Sequence, residues 1–409
     1  MSDERKKKDE KLVRKPSAFL YWFVIGFYRL YILLRYNVHC HGGRAEGPAL
    51  VLSNHTSNHD YKFIASAHWP RRITFVGTYH WFTFRKLNFW LRHLGVIPKY
   101  QFAPDMASMK KIRYALDRNK ALVFVAPEGT VYAAGSLGYM SPSIAKTIKV
   151  FRTAVYASKI EGAGLGNAKW SLHTHRGRID VTTEKIITKE EARTLTVDEI
   201  MARITSSLSY DDFEYQKKYD VKVKGDDKLD GFDTMFYKCP SCGSEFTLTS
   251  GGNTVKCSSC GAEAVLDDTF HFNWKNTGRK LFDNYREWYD WQLEEMKKEA
   301  EKDDFVLEEE VDYAVDRPGI DNYVKVGRGL MRLTHSGWDY RGTYEGEEIE
   351  EHDDIEDVFL ATLKIGLHFE LPFRKGHCRV FYPVKNGKTS MKWHLASRAL
   401  TELKAEGRI

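Results

Sequence analysis

The sequence predicts an α/β domain with a mostly parallel central sheet and an N-terminal interfacial helix. A small metal-binding ribbon, a long helix and a small β-rich domain are expected to follow. Three observations lead to this prediction. Short apolar stretches alternate with helical ones over residues 49–160, as in parallel α/β sheets. Two Cys-x2-Cys pairs lie near residue 250, and several short strands precede a final helix. A chain of 409 residues has room for two or three domains.

The clearest candidate chemistry lies where the first strand of this sheet ends. Residues 49–53 are apolar and predict a buried strand, and a helix is expected from Asp60. His55 and Asp60 therefore lie at the edge where α/β folds collect ligands and catalytic groups. An imidazole can take a proton from a hydroxyl near neutral pH, and a carboxylate can fix its tautomer. A second pair at the same spacing, His352 and Asp357, lies in an acidic run and predicts only a solvated face.

Two more strand ends accompany the first. Gly95-Val-Ile-Pro-Lys99 ends one short strand, and the strand at 121–126 runs into Pro-Glu-Gly-Thr at 127–130. With Asn-His-x4-Asp at 54–60, these blocks resemble the PlsC-type glycerolipid acyltransferases over residues 18–225. The resemblance implies the catalytic and acceptor-binding residues. The catalytic pair would be His55 and Asp60, and the acceptor would be bound by Lys99, Glu128, Gly129 and Thr130.

The resemblance also implies an activity. A membrane-surface enzyme would move an acyl chain from acyl-CoA or acyl-carrier protein to the hydroxyl of lysophosphatidate, in phospholipid biosynthesis. Two positions depart from the family pattern, because Gln101 and Val131 stand where arginine is usual. Lys110, Lys111 and Arg176 are candidates to compensate. The alternatives are acylation of a different lyso-lipid or alcohol, and a non-catalytic lipid-binding scaffold.

The N-terminal region predicts a membrane contact. Residues 1–17 are basic and are expected to be a disordered tail, and residues 19–34 are apolar and rich in aromatics. This run falls short of the roughly 20 residues of a membrane span and contains Arg29, so we expect an interfacial helix. The alternative is an aromatic core helix. The basic flank predicts peripheral or monotopic binding at the cytoplasmic face. A net charge of +6 suits an acidic membrane or a phosphorylated substrate and does not call for nucleic acid.

Four cysteines predict a structural zinc site within a ribbon spanning residues 232–270. Each Cys-x2-Cys pair is followed by glycine, which lets the backbone turn tightly under a metal. Four protein ligands would leave no open position for catalysis. The alternative is a redox pair or two disulfides, which a cytoplasmic location disfavours. The ligands would be Cys239, Cys242, Cys257 and Cys260.

The C-terminal part predicts a long helix at 273–303 and a β-rich domain at 305–409. The acidic stretch 308–316 is expected to be a linker or an edge. The glycines of residues 329–337 predict a hairpin, further short strands follow, and a helix at 390–403 closes the chain. Short strands capped by one helix resemble a pleckstrin-homology or GRAM module. This resemblance implies lipid binding, with protein contact or simple packing as the alternative.

Overall fold

The computed structural model describes residues 12–101, 103, 105–358, 360–374 and 377–409. The chain divides into two compact units. The first reaches to Lys169 and includes Thr174–Lys224, and the second consists of Trp170–His173 and Gly225–Ile409.

The first unit contains a sheet flanked by helices. Its strands are β1 (Asn37–Gly42), β2 (Ala49–Leu52), β3 (Ile73–Thr78), β4 (Ile97–Lys99), β5 (Leu122–Val125), β6 (Ala154–Glu161) and β7 (Arg178–Ile187). Its α-helices are α1 (Ala18–Arg35), α2 (Asp60–His68), α3 (Arg85–His93), α4 (Met106–Asp117), α5 (Ser143–Phe151), α6 (Ala163–Gly166), α7 (Glu191–Thr194), α8 (Val197–Leu208) and α9 (Asp212–Tyr219). A short 3₁₀ helix, Tyr79–Phe82, precedes α3.

The strand order is β1-β7-β6-β2-β5-β3-β4. Every neighbouring pair is parallel except β6 and β7, which run antiparallel, so the sheet is mixed but mostly parallel. Because β2, β5, β3 and β4 run in the same direction, their carboxyl ends share one edge. The three sequence blocks leave the sheet at that edge.

Apolar residues on both faces of the central strands explain why helices cover both sides. All four residues of β2 are buried. Since successive side chains of a strand point to opposite faces, Leu50 and Leu52 pack with α4, α5 and α8, whereas Ala49 and Val51 pack with α1 and α2. This continuous apolar run is what made the strand predictable from sequence.

The structure describes the second part of the predicted disordered tail, residues 12–17. Residues 1–11 lie outside the described residues, but Val13 is buried in the core beside α4 and α5. Its carbonyl accepts a hydrogen bond from the Asn119 side chain at 3.3 Å, and the Pro16 carbonyl accepts one from Arg72 at 2.7 Å. Val13 and Pro16 are therefore buried and hold residues 12–17 against the domain, so the prediction of disorder is wrong for this segment.

The second unit is rich in β-structure. Its strands are β8 (Leu248–Gly251), β9 (Thr254–Cys257), β10 (Glu263–Leu266), β11 (Phe272–Lys275), β12 (Leu307–Val315), β13 (Val324–Leu333), β14 (Gly337–Tyr344), β15 (Glu347–Asp354), β16 (Thr362–Lys364), β17 (His368–Arg374) and β18 (His377–Pro383). Its helices are α10 (Tyr285–Ala300), α11 (Thr389–Ala405) and a 3₁₀ turn, Phe232–Thr234. The four-stranded sheet of the predicted ribbon, here called the ribbon sheet, has the order β11-β10-β9-β8. The larger sheet has the order β15-β14-β13-β12-β18-β17-β16.

Two expectations for this unit are wrong. The long helix predicted at 273–303 begins only at Tyr285, where Asn284 caps it by accepting two backbone N–H bonds, and Phe272–Lys275 is instead a ribbon strand. The acidic stretch 308–316 is neither linker nor edge, because β12 pairs on both sides, with β13 and β18. The buried Asp312 in this strand is compensated by Lys325 and Arg328, each 2.6 Å from its carboxylate.

Candidate active site and candidate metal site

Asn54 fixes the point at which the chain leaves β2. Its side-chain amide donates to the Ile160 carbonyl over 2.7 Å, and its Oδ1 accepts the Ile160 N–H at 2.8 Å. The side chain is fully buried. Because both hydrogen bonds go to one residue of β6, they hold the following residue, His55, in a defined position at the edge of the sheet.

His55 and Asp60 form a hydrogen-bonded pair. His55 Nδ1 lies 2.9 Å from Asp60 Oδ2. The imidazole is 28% exposed and the carboxylate behind it only 2%. Because the carboxylate accepts from Nδ1–H, the basic nitrogen of the neutral ring is Nε2. The pair therefore presents a proton acceptor backed by a buried carboxylate.

The residues between the two partners hold the carboxylate in place. Oδ2 accepts the Thr56 N–H at 2.7 Å, and Oδ1 accepts the Thr56 and Ser57 hydroxyls at 3.0 and 2.8 Å. The Ser57 N–H lies 3.1 and 3.0 Å from the two oxygens. Turns without any catalytic role also contain hydrogen bonds of this kind. This turn differs because it carries the partly exposed His55, which can transfer a proton. Sequence reasoning missed Thr56 and Ser57, although two hydroxyl residues directly after the histidine were a visible signal.

Glu128, which follows the neighbouring strand β5, is hydrogen-bonded to residues 54–60, here called the catalytic turn after their predicted role. Its Oε1 accepts the His55 backbone N–H at 2.6 Å, and its Oε2 accepts the Gly138 N–H at 2.7 Å. Burial raises the pKa of Glu128 to about 8, against the opposing effect of these two N–H donors. Glu128 therefore positions His55 through the backbone. Its expected role in acceptor binding stays a prediction.

The Pro-Glu-Gly-Thr turn also connects to the end of β4. Gly129 has a φ of +71°, a conformation that side chains disfavour, and its carbonyl accepts a hydrogen bond from the Gln101 side chain at 2.7 Å. Gln101 Oε1 in turn accepts from the Thr78 hydroxyl at 3.1 Å. Gln101, where the family pattern suggested arginine, is thus a neutral link between two strand ends. Thr130 follows in the same turn and is partly exposed.

Lys99 ends β4 beside this link. Its ammonium donates to the Tyr100 carbonyl at 3.3 Å, and burial lowers its pKa, with Asp105 opposing that effect. The strand ends therefore bring His55, Asp60 and Glu128 into one hydrogen-bonded set. Gly129 directly follows Glu128 and is hydrogen-bonded to Gln101, and Lys99 lies two residues before Gln101.

Two lysines near the catalytic turn were given no role from sequence. Lys169 Nζ donates to the Val131 carbonyl at 2.9 Å, and the next N–H, that of Tyr132, donates to the His55 carbonyl at 3.0 Å. Lys62 Nζ lies 2.8 Å from His59 Nδ1, and burial lowers the pKa of both groups. The sequence placed Lys169 in a Lys-Trp pair without assigning it a role, and only the folded chain shows where both lysines lie.

Residues 35–157 match the protein-family model described as Acyltransferase. The chain carries an acyltransferase domain. A similar solved structure is the 1-acyl-sn-glycerophosphate (LPA) acyltransferase PlsC from Thermotoga maritima, with 17% sequence identity and a TM-score of 0.35. That similarity covers 45% of this chain and 78% of the other. Among curated proteins, none matches the chain significantly. The matched residues 35–157 contain His55 and Asp60, Lys99, and the turn at 128–130.

Outside the acyltransferase domain, four cysteines cluster at the end of the ribbon sheet. Cys239, Cys242, Cys257 and Cys260 have sulfur atoms within 4.8 Å of one another. Two of the Sγ–Sγ distances are 3.8 Å (239–260) and 3.9 Å (242–257). A tetrahedral zinc with Zn–S bonds of about 2.3 Å requires sulfur atoms about 3.8 Å apart. The cluster therefore fits a tetrahedral metal site with four cysteine ligands.

Two tight backbone turns build the cluster. The Gly243 N–H donates to the Cys239 carbonyl at 2.8 Å, and the Gly261 N–H donates to the Cys257 carbonyl at 3.0 Å. The two glycines have φ of +74° and +75°, whereas a Cβ at either would meet no atom within 4 Å. Glycine is thus required by backbone conformation and not by space.

An aromatic and amide framework supports the first of these turns. Gln292 of α10 is fully buried, its Oε1 accepts the Tyr237 and Lys238 N–H groups, and its Nε2 donates to the Met235 carbonyl. The Trp288 indole N–H donates to the Lys238 carbonyl at 3.1 Å. The segment leading into Cys239 is therefore held by contacts with α10.

Proposed function

We propose that this protein is a membrane-surface O-acyltransferase that moves an acyl chain from a thioester, acyl-CoA or acyl-carrier protein, to the hydroxyl of lysophosphatidate. The observation that carries the proposal is the His55–Asp60 pair, at 2.9 Å, within the residues that match the acyltransferase family. The partial exposure of His55 lets a hydroxyl approach the ring.

The proposed reaction needs one base and no covalent intermediate. His55 Nε2 takes the proton of the acceptor hydroxyl as its oxygen attacks the thioester carbonyl. Asp60 holds the ring and stabilises the imidazolium that forms. When the tetrahedral intermediate collapses, the carbon–sulfur bond breaks and the leaving thiolate takes the proton back from Nε2. The products are the acylated acceptor and a free thiol, and the imidazole is again neutral.

The outer surface of α1 supports the membrane part of the proposal. Its inner face packs through Tyr21, Ile25 and Ile32, whereas the opposite face exposes large apolar side chains at helical spacing. That exposed stripe consists of Phe19, Phe23, Phe27, Leu30 and Leu34. Within the described part of the chain, α1 is the single helix whose length and composition would allow it to cross a membrane.

The surface next to α1 has the same character. The N-cap residue of α1, Ser17, donates its N–H to the His93 carbonyl at the end of α3. On α3, Phe89 and Trp90 are about half exposed among basic residues. Aromatic side chains interleaved with positive charge suit an acidic interface. We therefore place α1 and α3 at the membrane surface, on its cytoplasmic side.

For the cysteine cluster we propose a structural zinc ion. Four thiolates fill a tetrahedral coordination shell, so the metal would hold the two turns together without taking part in acyl transfer. We also propose that the larger sheet, with its closing helix α11, is a pleckstrin-homology-like module, which its short strands and final helix support. Its contribution to lipid binding is part of the same proposal.

Acyl transfer by the full-length protein tests the proposal. Labelled acyl-CoA and acyl-carrier protein would be supplied with acidic vesicles and a panel of acceptors: lysophosphatidate, other lysophospholipids and monoacylglycerol. We expect product with lysophosphatidate. If product forms only with a different lyso-lipid or only with monoacylglycerol, the proposed acceptor is wrong but the proposed acyltransferase activity stands. Vesicle binding without transfer to any acceptor would contradict the enzyme and favour a lipid-binding scaffold.

A further inference from the structure

We infer that the outward surface of helices α4 and α5 docks a small acidic carrier protein that delivers the acyl thioester. The inference rests on the proposed function and deepens it, because it chooses the carrier protein over acyl-CoA as the donor. This surface includes the residues that directly follow the two helices and is here called the basic face. It consists of the exposed side chains of Lys110, Arg113, Arg118, Lys120, Lys146 and Arg152.

The first support is the amount of positive charge on the two segments that form the basic face. Residues 106–120 and 143–152 contain eight lysines or arginines and one acidic residue, Asp117, which gives them a net charge of +7. The whole chain of 409 residues has a net charge of +6. A positive excess as large as that of the entire protein therefore lies on one pair of helices. The neighbouring helix α8 carries more acidic than basic residues, so the excess ends there.

The second support is that the protein leaves most of these charges without a counter-ion. Arg113 is the exception, since its Nε lies 2.7 Å from Asp117 Oδ2, and it also donates to the Val150 carbonyl at 3.1 Å. The contact with Val150 joins α4 to α5, so the two helices form one surface. Among the described residues, no carboxylate forms an ion pair with the other side chains of the basic face: Lys110, Arg118, Lys120, Lys146 and Arg152. Like charges on one surface repel one another, and an acidic partner relieves that repulsion.

The third support is the position of the basic face relative to α1, which we place at the membrane. Leu50 and Leu52 of β2 pack with α4 and α5, whereas Ala49 and Val51 pack with α1. The basic face and the exposed apolar stripe of α1 therefore lie on opposite sides of the sheet. A surface turned away from the bilayer meets soluble molecules, so a soluble acidic protein suits the basic face better than acidic lipid does.

The fourth support is that the basic face begins at the edge of the sheet that carries the catalytic turn. Asp105, which caps α4, accepts the Tyr100 N–H at 3.1 Å, and the Ser108 hydroxyl donates to the Pro98 carbonyl of β4. The first turn of α4 therefore lies at the carboxyl end of β4. From Ser108 to Arg118 the helix rises about 15 Å, at 1.5 Å per residue. Charges spread over this length suit a protein surface, whereas a nucleotide needs charges that converge on its phosphates.

The test reverses one charge on each helix segment, in Arg118→Glu, in Lys146→Glu and in the double variant. The matched control is Lys217→Glu, since Lys217 is also an exposed lysine on a helix, α9, but lies outside the basic face. For each full-length variant, kcat and KM are measured with acyl-carrier protein and with acyl-CoA, and the Tm shows whether the variant is folded.

Two binding measurements accompany the kinetics. Binding of the carrier protein without an acyl chain is measured at a series of salt concentrations, which separates docking from turnover. Binding to acidic vesicles is measured by co-sedimentation, which separates docking of a protein from contact with a membrane.

We expect the double variant to raise KM for acyl-carrier protein and Kd for the carrier on the order of 10-fold, because it turns attraction into repulsion. Its KM for acyl-CoA, its vesicle binding and its Tm should stay those of wild type. Carrier binding by wild type should weaken as salt rises, since salt screens exposed charges. Lys217→Glu should behave as wild type in every measurement.

Four results would overturn the inference. These are use of acyl-CoA alone by wild type with no carrier binding, unchanged carrier binding in the double variant, an equal loss with both donors, and a parallel loss of vesicle binding, which would assign the basic face to lipid. Carrier binding that depends on the basic face in a protein that transfers no acyl chain would instead overturn the proposed function and leave the docking role standing.

Discussion

Asp60 should tolerate replacement by asparagine far better than replacement by alanine. The reason is the difference between its two oxygens. Oδ1 accepts from the Thr56 and Ser57 hydroxyls, which can rotate and accept instead, whereas Oδ2 accepts from His55 Nδ1 and the Thr56 N–H. The Ser57 N–H is shared between the two oxygens, at 3.1 and 3.0 Å, and Oδ2 can accept it alone. An asparagine would therefore place its NH2 group at the Oδ1 position and keep its carbonyl oxygen toward His55.

The expected magnitudes follow from these contacts. In Asp60→Asn the ring keeps its acceptor but loses the negative charge that stabilises the imidazolium, worth about 1–2 kcal/mol, or roughly 10-fold in kcat. In Asp60→Ala the buried N–H groups of Thr56 and Ser57 lose their acceptor. At about 1–3 kcal/mol each, the free energy of unfolding should fall by roughly 2–6 kcal/mol.

The assay is steady-state acyl transfer together with denaturant unfolding of both variants. We expect the order wild type, Asp60→Asn, Asp60→Ala for both kcat and the free energy of unfolding. An Asp60→Asn protein that unfolds like wild type but is as inactive as Asp60→Ala would refute the argument. In that case the amide nitrogen faces His55, or the charge contributes much more than one hydrogen bond.

Three further predictions concern other parts of the chain. Burial raises the pKa of Glu128 from 4.5 to about 8, so its neutral form stabilises the fold. Its contribution to the free energy of unfolding should therefore be complete below pH 4.5 and fall by about 1.4 kcal/mol per pH unit toward pH 8. Glu128→Gln, neutral throughout, should flatten that slope in denaturant titrations. Cys239→Ser should lower the zinc content measured by atomic absorption and reduce the Tm. Phe23→Asp and Phe27→Asp should weaken binding to acidic vesicles about 10-fold or more in co-sedimentation, since each removes an apolar side chain worth about 1.5–3 kcal/mol when buried.

Each of these predictions has its own contradicting result. The same pH slope in wild type and Glu128→Gln would assign the titration to another group. Full stability of Cys239→Ser without metal would remove the structural role of zinc. For the membrane surface, the matched control is Tyr219→Asp, an exposed aromatic of the same unit outside α1 and α3. Equal losses for the control and the α1 variants would mean that added negative charge alone explains the effect.

Local patterns made much of the fold predictable. The run at 49–53 predicted β2 because both of its faces are apolar, and the cysteine spacing predicted the cluster because each pair closes one short turn. The amphipathic helix at 196–208 is confirmed as α8, Val197–Leu208. The shortened α10 was not predicted, because aromatic residues suit both a ribbon strand and a helix face. The central position of β12 was hidden by its acidic residues.

Contacts between distant parts of the sequence were beyond such reasoning. Glu128 and His55 are separated by 73 positions, and Lys169 and Val131 by 38. No spacing links these residues, because the sheet order decides which turns become neighbours. The sequence therefore identified Glu128 as a candidate site residue. It could not show that the Glu128 carboxyl group accepts a hydrogen bond from the His55 backbone N–H. It named Lys110, Lys111 and Arg176 as candidates to replace the missing arginines, and it assigned no role to Lys169.

The central claim, that His55 is the base, is tested most directly by the rate of acyl transfer in a single turnover. His55→Ala should be compared with His352→Ala, since His352 also pairs with an aspartate, Asp339, but on the surface of the second unit. We expect His55→Ala to lose on the order of 10²- to 10⁴-fold in rate with an unchanged Tm, and His352→Ala to match wild type. Transfer by His55→Ala at the wild-type rate would contradict the mechanism.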